Sequence, residues 1–497
     1  MRAAGRAVAR RPDLAVLAVL ALAGVALRLW LMLRWRPAFL GFSDSYVYLT
    51  NSSEGFFNDS LRPVGYPLFL AGARSLSSSL SATTLLQHAM GVASAGFAYL
   101  AGRRLGLGRW AALLPAAVLL LHGATMWFEH AILTESLFGF LVCAGLLAAA
   151  LAAGGAGGPR AQIALAGAAG LLVAGAGAVR TVGIALLPVL AAWLAWALPA
   201  PARRRVAAAG ATALAGVALL AGNLVWAHSE TGAYAFSRHD YYLAYGRVAP
   251  FADCGRFTPP RGTRALCPTV PRRDRFGPGW WVFSPESAIV RAFGRVDRDV
   301  QPPGAARRTS AFYRRAILSQ PLDYLSAVGR DLVRFVDPNF PLNPNPAIGN
   351  GGAGVSADDY QEHLLTRSEW SRGNEPGTAA VVARLYSTPG LYKGPMEGLR
   401  RYEGATRLTG VPMVLLIALA LAGPLAASGR RRRGAVLATA VGATLAVAPV
   451  LAHEYDWRYA VAALGPLALA AAFGAEGIAD RVRAIRLARL GEPSRAS

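Results

Sequence analysis

The sequence predicts an all-α polytopic membrane protein, with about ten transmembrane helices and a large extracytoplasmic loop between spans 7 and 8. Three observations predict it. Hydrophobic residues make up 54% of the 497 residues, and mean hydropathy is +0.35. The apolar residues gather in long runs of Ala, Leu, Val and Gly, and about 20 such residues at 1.5 Å each cross a ~30 Å hydrocarbon core. The arginines fall in short clusters at the ends of those runs, which is a topology signal. The formal net charge of +23 is therefore read as membrane topology and not as a nucleic-acid footprint.

The first span, Leu14–Leu33, follows a basic start and is too long for a signal-peptide h-region, so it reads as a retained signal anchor. Next come Ala82–Gly102, Trp110–Thr125 and Ile132–Ala152. From Ala161 to Leu198 the chain is almost continuously apolar and as one helix would extend about 57 Å, too long for a bilayer. Its one strongly polar pair is Arg180-Thr181. A charge in hydrocarbon is costly, so the chain is expected to turn there, giving spans Ile163–Val179 and Val182–Leu198. Val206–Trp226 is the seventh span, and Val411–Ala427, Val436–Leu451 and Ala460–Gly477 follow the large loop.

With ten spans, Arg10-Arg11, Arg103-Arg104, Arg160, Arg203 to Arg205, Arg430 to Arg433 and the basic tail all fall on one side, which the positive-inside rule makes cytoplasmic. The tail from Arg481 to Arg495 is suited to anionic headgroups. The expected organisation is a transmembrane core over residues 1–227 with a first outer loop at 34–81. An extracytoplasmic loop domain over 228–408 follows, then C-terminal spans over 409–478 and a basic cytoplasmic tail over 479–497. Within the large loop a helical stretch is expected at Arg307–Phe335, and a Gly/Asn/Pro-rich segment runs from Asn339 to Gly354. Trp280-Trp281 and the many tyrosines argue for packing rather than a disordered linker. Cys143 lies in an apolar run and reads as a packing residue. Cys254 and Cys267 share the loop and could pair in an oxidising compartment, a point that sequence alone leaves open.

The apolar runs hold almost no acidic residues. Asp44, Glu54, Asp59, Glu129, Glu454 and Asp456 fall in expected outer turns, and Glu135 lies just inside a span's outer end. All would face one compartment. An ion-coupled transporter would be expected to carry acidic or basic groups near mid-bilayer. Three stretches stand out: Phe42-Ser43-Asp44-Ser45-Tyr46-Val47-Tyr48 with Arg62-Pro63-Val64-Gly65-Tyr66-Pro67; His130 to Phe138 around Thr134-Glu135; and His453-Glu454-Tyr455-Asp456-Trp457-Arg458-Tyr459.

In this order the stretches resemble the C-type, lipid-carrier-dependent glycosyltransferases, a superfamily that includes protein O-mannosyltransferases and aminoarabinose transferases. The matching positions are Asp44, then Arg62-Pro63 with Tyr66-Pro67, then Glu135, and finally Arg458-Tyr459. Arg180 resembles that family's outer-face basic turn. The likeness extends over the spans and hardly over the large loop. Relatives carry paired Asp-Glu where this chain has Asp44-Ser45, and a His or Glu where it has Leu61. No clear ligand motif indicates a divalent cation, and the cofactor is left open.

The resemblance implies an inverting transfer of sugar from a polyprenyl-phosphate donor to an acceptor hydroxyl of a cell-envelope glycan, lipid or protein. It further implies a site on the extracytoplasmic face of the cytoplasmic membrane. Asp44 is then the expected general base, and Glu135, the second residue assigned to catalysis, is expected to orient the acceptor or hold a cation. Arg62, Arg180 and Arg458 are expected on the donor phosphate, because guanidinium stays cationic and grips phosphate oxygens in a fork. Tyr46, Tyr66, Glu129, His453, Glu454 and Tyr459 are expected to line the substrate. The readings set against this one are a lipid or solute transporter and an envelope glycan polymerase or ligase.

Overall fold

The computed structural model describes residues 12–40, 43–155, 157–297, 301–337, 376–387, 392–393 and 397–489. Arg10-Arg11, the Asn339–Gly354 segment and the tail beyond Arg489 lie outside them. In chain order the first helices are α1 (Pro12–Arg34), α2 (Ser43–Glu54), α3 (Gly65–Leu76), α4 (Leu80–Arg104), α5 (Leu113–Leu121) and α6 (Gly123–His130). Then come α7 (Glu135–Ala153), α8 (Gly158–Val179), α9 (Leu186–Ala197) and α10 (Ala202–Thr231). The large loop contributes α11 (Asp240–Val248), α12 (Pro278–Phe283), α13 (Ala288–Phe293), α14 (Ala305–Ser319), α15 (Pro321–Val333), α16 (Pro376–Leu385) and α17 (Glu397–Thr406). The chain then continues with α18 (Gly410–Ala426), α19 (Gly429–Ala452) and α20 (Trp457–Arg489). The only strands among the described residues are β1 (Trp35–Arg36) and β2 (Tyr392–Lys393), paired antiparallel.

Six of these helices, α1, α7, α8, α10, α19 and α20, are long and apolar enough to cross a membrane, so the chain is an all-α, multi-pass membrane protein. A seventh is added if α17 and α18, bent by 42° at their junction, form one span. The ten expected runs all fall on helix, but four do not reach that standard as single apolar helices. The third run breaks at His122, whose extended backbone ends α5 and whose imidazole accepts the Thr125 N–H at 3.2 Å, capping α6. The sixth run is shortened by the 3-10 turn Thr181–Ala185 before α9. In the large loop, the expected continuous helix at Arg307–Phe335 is split at Gln320, because Pro321 disfavours helical backbone in the residue before it.

The turn at Arg180 has a clear local cause. Helix α8 ends at Val179, and Arg180 leaves it in an extended conformation (φ −145°, ψ 123°). Helix α10 packs against α8, and α20 against α18 and α19. The α18–α20 pair approaches so closely that a side chain at Gly474 would collide with the Leu419 carbonyl oxygen. At one end of the bundle the basic clusters meet. Arg430 donates to the Arg104 carbonyl, Arg481 Nε to the Ala426 carbonyl at 3.0 Å, and Arg431 pairs with Asp480 at 2.6 Å. At the other end lie the first turn of α7, the last of α8 and the first of α20.

The large loop has its own apolar cluster, built on Tyr242, Tyr245, Phe251, Trp281, Ile289 and Phe312, each at most 1% exposed. Cys254 and Cys267 are joined in a disulfide beside it, and Cys143 is a buried free thiol.

Candidate active site

Five charged side chains, drawn from five separate parts of the chain, form one continuous ladder of ion pairs. Arg62 Nε donates to Asp44 Oδ1 at 2.8 Å; Asp44 Oδ2 accepts from Arg458 Nη1 at 2.7 Å. Arg458 Nε donates to Glu135 Oε1 at 2.7 Å, and the same oxygen accepts from Arg180 Nη1 at 2.6 Å. The order is Arg62, Asp44, Arg458, Glu135, Arg180. All the residues expected to be catalytic or to bind phosphate are brought together.

Each is held by a helix end. Asp44 sits in the first turn of α2 and Glu135 opens α7, where a carboxylate complements the helix dipole. Arg180 occupies the break after α8, and Arg458 is the second residue of α20. Arg62 lies between α2 and α3, and Asp59 fixes it. One Asp59 oxygen accepts the backbone N–H groups of Leu61 and Arg62 at 2.9 and 2.5 Å, while the other accepts Arg62 Nη1 at 3.0 Å. Gly65 then lets the start of α3 lie on the end of α8, since a Cβ there would come within 2.6 Å of the Ala178 carbonyl oxygen.

Burial raises the Asp44 carboxyl, but the Arg62 and Arg458 guanidiniums outweigh it and hold Asp44 well below the usual carboxylate range. Asp456 differs. It makes no ion pair among the described residues, accepts the Arg458 N–H at 3.0 Å, and is pushed up to about 6 by burial and by Glu454 against the pull of Arg458 and Arg180.

Aromatic residues complete one wall. The Tyr459 ring lies 4.8 Å from the Arg180 guanidinium carbon. Tyr66 meets Tyr48 edge to face at 4.9 Å and donates its hydroxyl to Gln87 at 2.7 Å. Tyr48, not Tyr46, belongs here. One helical turn separates Asp44 from Tyr48, whereas Tyr46 is 36% exposed on another face of α2.

Three residues expected to line the substrate stand apart from the ladder. His453 and Glu454 are not in the ladder: they pair with each other at 3.1 Å, and Glu454 accepts the Gly279 N–H of the large loop at 3.2 Å. Glu129 is not in a solvated outer turn. It is 2% exposed and grips Arg28 of α1 bidentately, at 2.7 Å to each oxygen, while His88 Nδ1 approaches it at 2.9 Å. His88 Nε2 in turn lies 3.1 Å from His130 Nδ1. Arg28 sits six residues, roughly 9 Å, inside the end of α1. It is a charged group within a span that the reading of the sequence passed over, although a lone Arg in an apolar run was a visible signal.

Between Glu129 and Glu135 lies a narrow apolar crevice, lined by Gly91, Leu119, Phe128, Phe140, Cys143 and Val461 among others. It runs between α4, α7 and α20, with Glu135 joining it to the ladder. Among the described residues no group of three or more His, Cys, Asp or Glu side chains is arranged to hold a metal ion.

Fold and site together define a helical membrane protein with an arginine–carboxylate centre where its helices end. No protein-family model and no curated protein sequence matches the chain. Among solved structures it is similar to the Archaeoglobus fulgidus oligosaccharyltransferase AglB in complex with an inhibitory peptide and dolichol-phosphate (14% identity, 99% of this chain and 53% of that one, TM-score 0.45). It is also similar to ArnT from Cupriavidus metallidurans bound to undecaprenyl phosphate (15% identity, 96% and 79%, TM-score 0.37). A third is the S. cerevisiae protein O-mannosyltransferase Pmt1–Pmt2 complex bound to its sugar donor (14% identity, 48% and 36%, TM-score 0.35). The chain spans about half the length of the oligosaccharyltransferase and about a third of the mannosyltransferase.

Proposed function

We propose that the chain is an inverting glycosyltransferase that moves a sugar from a polyprenyl-phosphate donor to a hydroxyl of a cell-envelope glycan, lipid or protein. The reaction is assigned to the extracytoplasmic face of the cytoplasmic membrane, with residues 1–227 as catalytic core and 228–408 as an outer domain. The observation that carries the reading is the ladder of three arginines and two carboxylates at the end of the bundle away from the basic clusters. The positive-inside rule puts those clusters in the cytoplasm.

In the proposed step the acceptor oxygen attacks the anomeric carbon while the bond from that carbon to the phosphate oxygen breaks. Asp44 takes the acceptor's proton, and the polyprenyl phosphate leaves with the bond's electrons. Arg62, Arg180 and Arg458 offset the charge that develops on the phosphate, in a site where fixed donors need no reorganisation. Both Asp44 oxygens are held by guanidinium groups. A phosphate competes for the same donors, so its arrival frees the carboxylate to act as a base when there is something to deprotonate. The apolar crevice beside Glu135 suits an isoprenoid chain, and Tyr66 and Tyr459 suit the sugar or the headgroup.

The test is transfer of radiolabelled sugar from a panel of synthetic polyprenyl-phosphate sugars by purified protein, comparing wild type with Asp44→Asn. Turnover lost by about 10² to 10⁴ in the variant supports the base assignment. Absence of turnover and of donor binding across the panel refutes the reading. A second reading, a transporter, is favoured by one observation: the buried Arg28–Glu129–His88 group, which is the kind of intramembrane charge such proteins use. Accumulation of solute in proteoliposomes, abolished by Glu129→Gln and unaffected by Asp44→Asn, would decide for it.

A further inference from the structure

Helix α15 wears its apolar face outward. Tyr324, Ala327, Val328 and Asp331, spaced as one helical face, point into the protein, and Asp331 is 4% exposed with ion pairs to Arg247 and, at 2.8 Å, to Arg334. On the opposite face Leu322 is 79% exposed, Leu325 58% and Val333 61%; Leu318, at the end of α14, is 78% exposed. A charged residue is therefore turned in and the leucines out, the reverse of what water selects for a surface helix.

What lies outside is set by where the helix is attached. The Tyr324 hydroxyl donates at 3.0 Å to the carbonyl of Leu451, the last residue but one of α19, a helix long and apolar enough to cross the membrane. Leu451 is itself 42% exposed. Helix α15 is thus tied by its inward face to the end of a span. Arg314, Arg315 and Arg330 are exposed on the same two helices, which adds positive charge where anionic headgroups would be met.

We propose that the outer face of α15, with Leu318, is seated in the boundary between headgroups and acyl chains of an anionic bilayer and anchors the large loop to the membrane. Apolar faces of this kind settle ~5–10 Å into that boundary. The proposal does not depend on the reaction assigned above.

The test uses the full chain in nanodiscs containing phosphatidylglycerol. Leu322→Cys and Leu325→Cys carry an environment-sensitive fluorophore, with Glu286→Cys, an exposed loop position, as the reference. The disulfide and the buried Cys143 leave the introduced thiol as the reactive one. A nitroxide placed near the headgroup end of a lipid acyl chain is expected to quench positions 322 and 325 at least about twofold more than position 286, as shallow insertion requires. Aqueous iodide is expected to show the opposite order. Quenching of 322 and 325 by iodide and not by the lipid nitroxide overturns the proposal. So does protection from both quenchers that appears only with two copies per disc, which would assign the face to a second copy of the chain. If either leucine variant fails to fold, Leu318→Cys gives the same readout.

Discussion

Arg458 and Asp44 lie 414 positions apart in the chain and meet at 2.7 Å, and through Nε the same guanidinium also holds Glu135. One side chain thus fixes the distance between the two carboxylates of the site. Arg458→Lys keeps a charge but not the fork, and is expected to lower transfer by about 10² to 10³, the usual cost of removing a fixed donor. Sugar transfer by the purified variant checks it, with thermal unfolding as the control for folding.

Gly65 should be equally sensitive for a different reason. A methyl group at this position meets the backbone of Ala178 and Val179 within 2.6 to 2.8 Å. Gly65→Ala is expected to lift the start of α3, carry Arg62 away from the ladder and weaken donor binding. Titration with a polyprenyl-phosphate sugar would reveal a raised Kd; an unchanged Kd would show that Arg62 does not depend on this contact.

Arg28 and Glu129 are both 2% exposed, so removing Arg28 leaves the Glu129 carboxylate buried with only His88 beside it, at 2.9 Å. Arg28→Met is expected to destabilise the protein by about 3–5 kcal/mol. Adding Glu129→Leu should recover much of that loss, since both charges are then gone. Thermal unfolding of the two variants in detergent measures the difference.

Asp456 gives a pH dependence whose sign follows from its raised pKa. The folded protein keeps this proton up to about pH 6, whereas the unfolded chain releases it near the ordinary aspartate value of 3.8. Folding stability attributable to Asp456 is therefore greatest at low pH, falls as pH rises through that interval, and is flat above it. Asp456→Asn retains a helix-capping side chain but cannot ionise. It is expected to raise Tm above pH about 7 and to leave Tm unchanged below about 4, the effect vanishing once both states are protonated. Melting curves across that range test it.

The helices were legible because apolar runs are the primary signal of a membrane chain, and the turn at Arg180 because one charge interrupts 38 residues of hydrocarbon-like sequence. What was not legible depended on partners distant in sequence. Glu129 reads as part of an outer turn, and its contacts with Arg28, 101 positions away, and with His88 are what the local sequence does not show. Asp59 was noted as acidic, but its grip on Arg62 needs the turn between them. Tyr48 was within reach of the sequence: helical periodicity through Asp44 selects it over Tyr46. The ion-pair ladder is different again, because its members came from matched positions and not from any spacing that composition could supply.

The contact between Gly474 and the Leu419 carbonyl bears on how the site accommodates a guest. Two backbones in direct touch cannot slide past one another without losing that fit, so α20 is keyed to α18 and Arg458 has a stationary mount. Arg180 is likewise stationed at the end of a helix on which Gly65 rests. Asp44 is keyed differently, by a side chain: next to it Ser45 is fully buried and donates its hydroxyl to the Ile132 carbonyl at 3.1 Å. A phosphate that enters the ladder therefore meets guanidiniums already set in place, and what changes is which oxygens they hold.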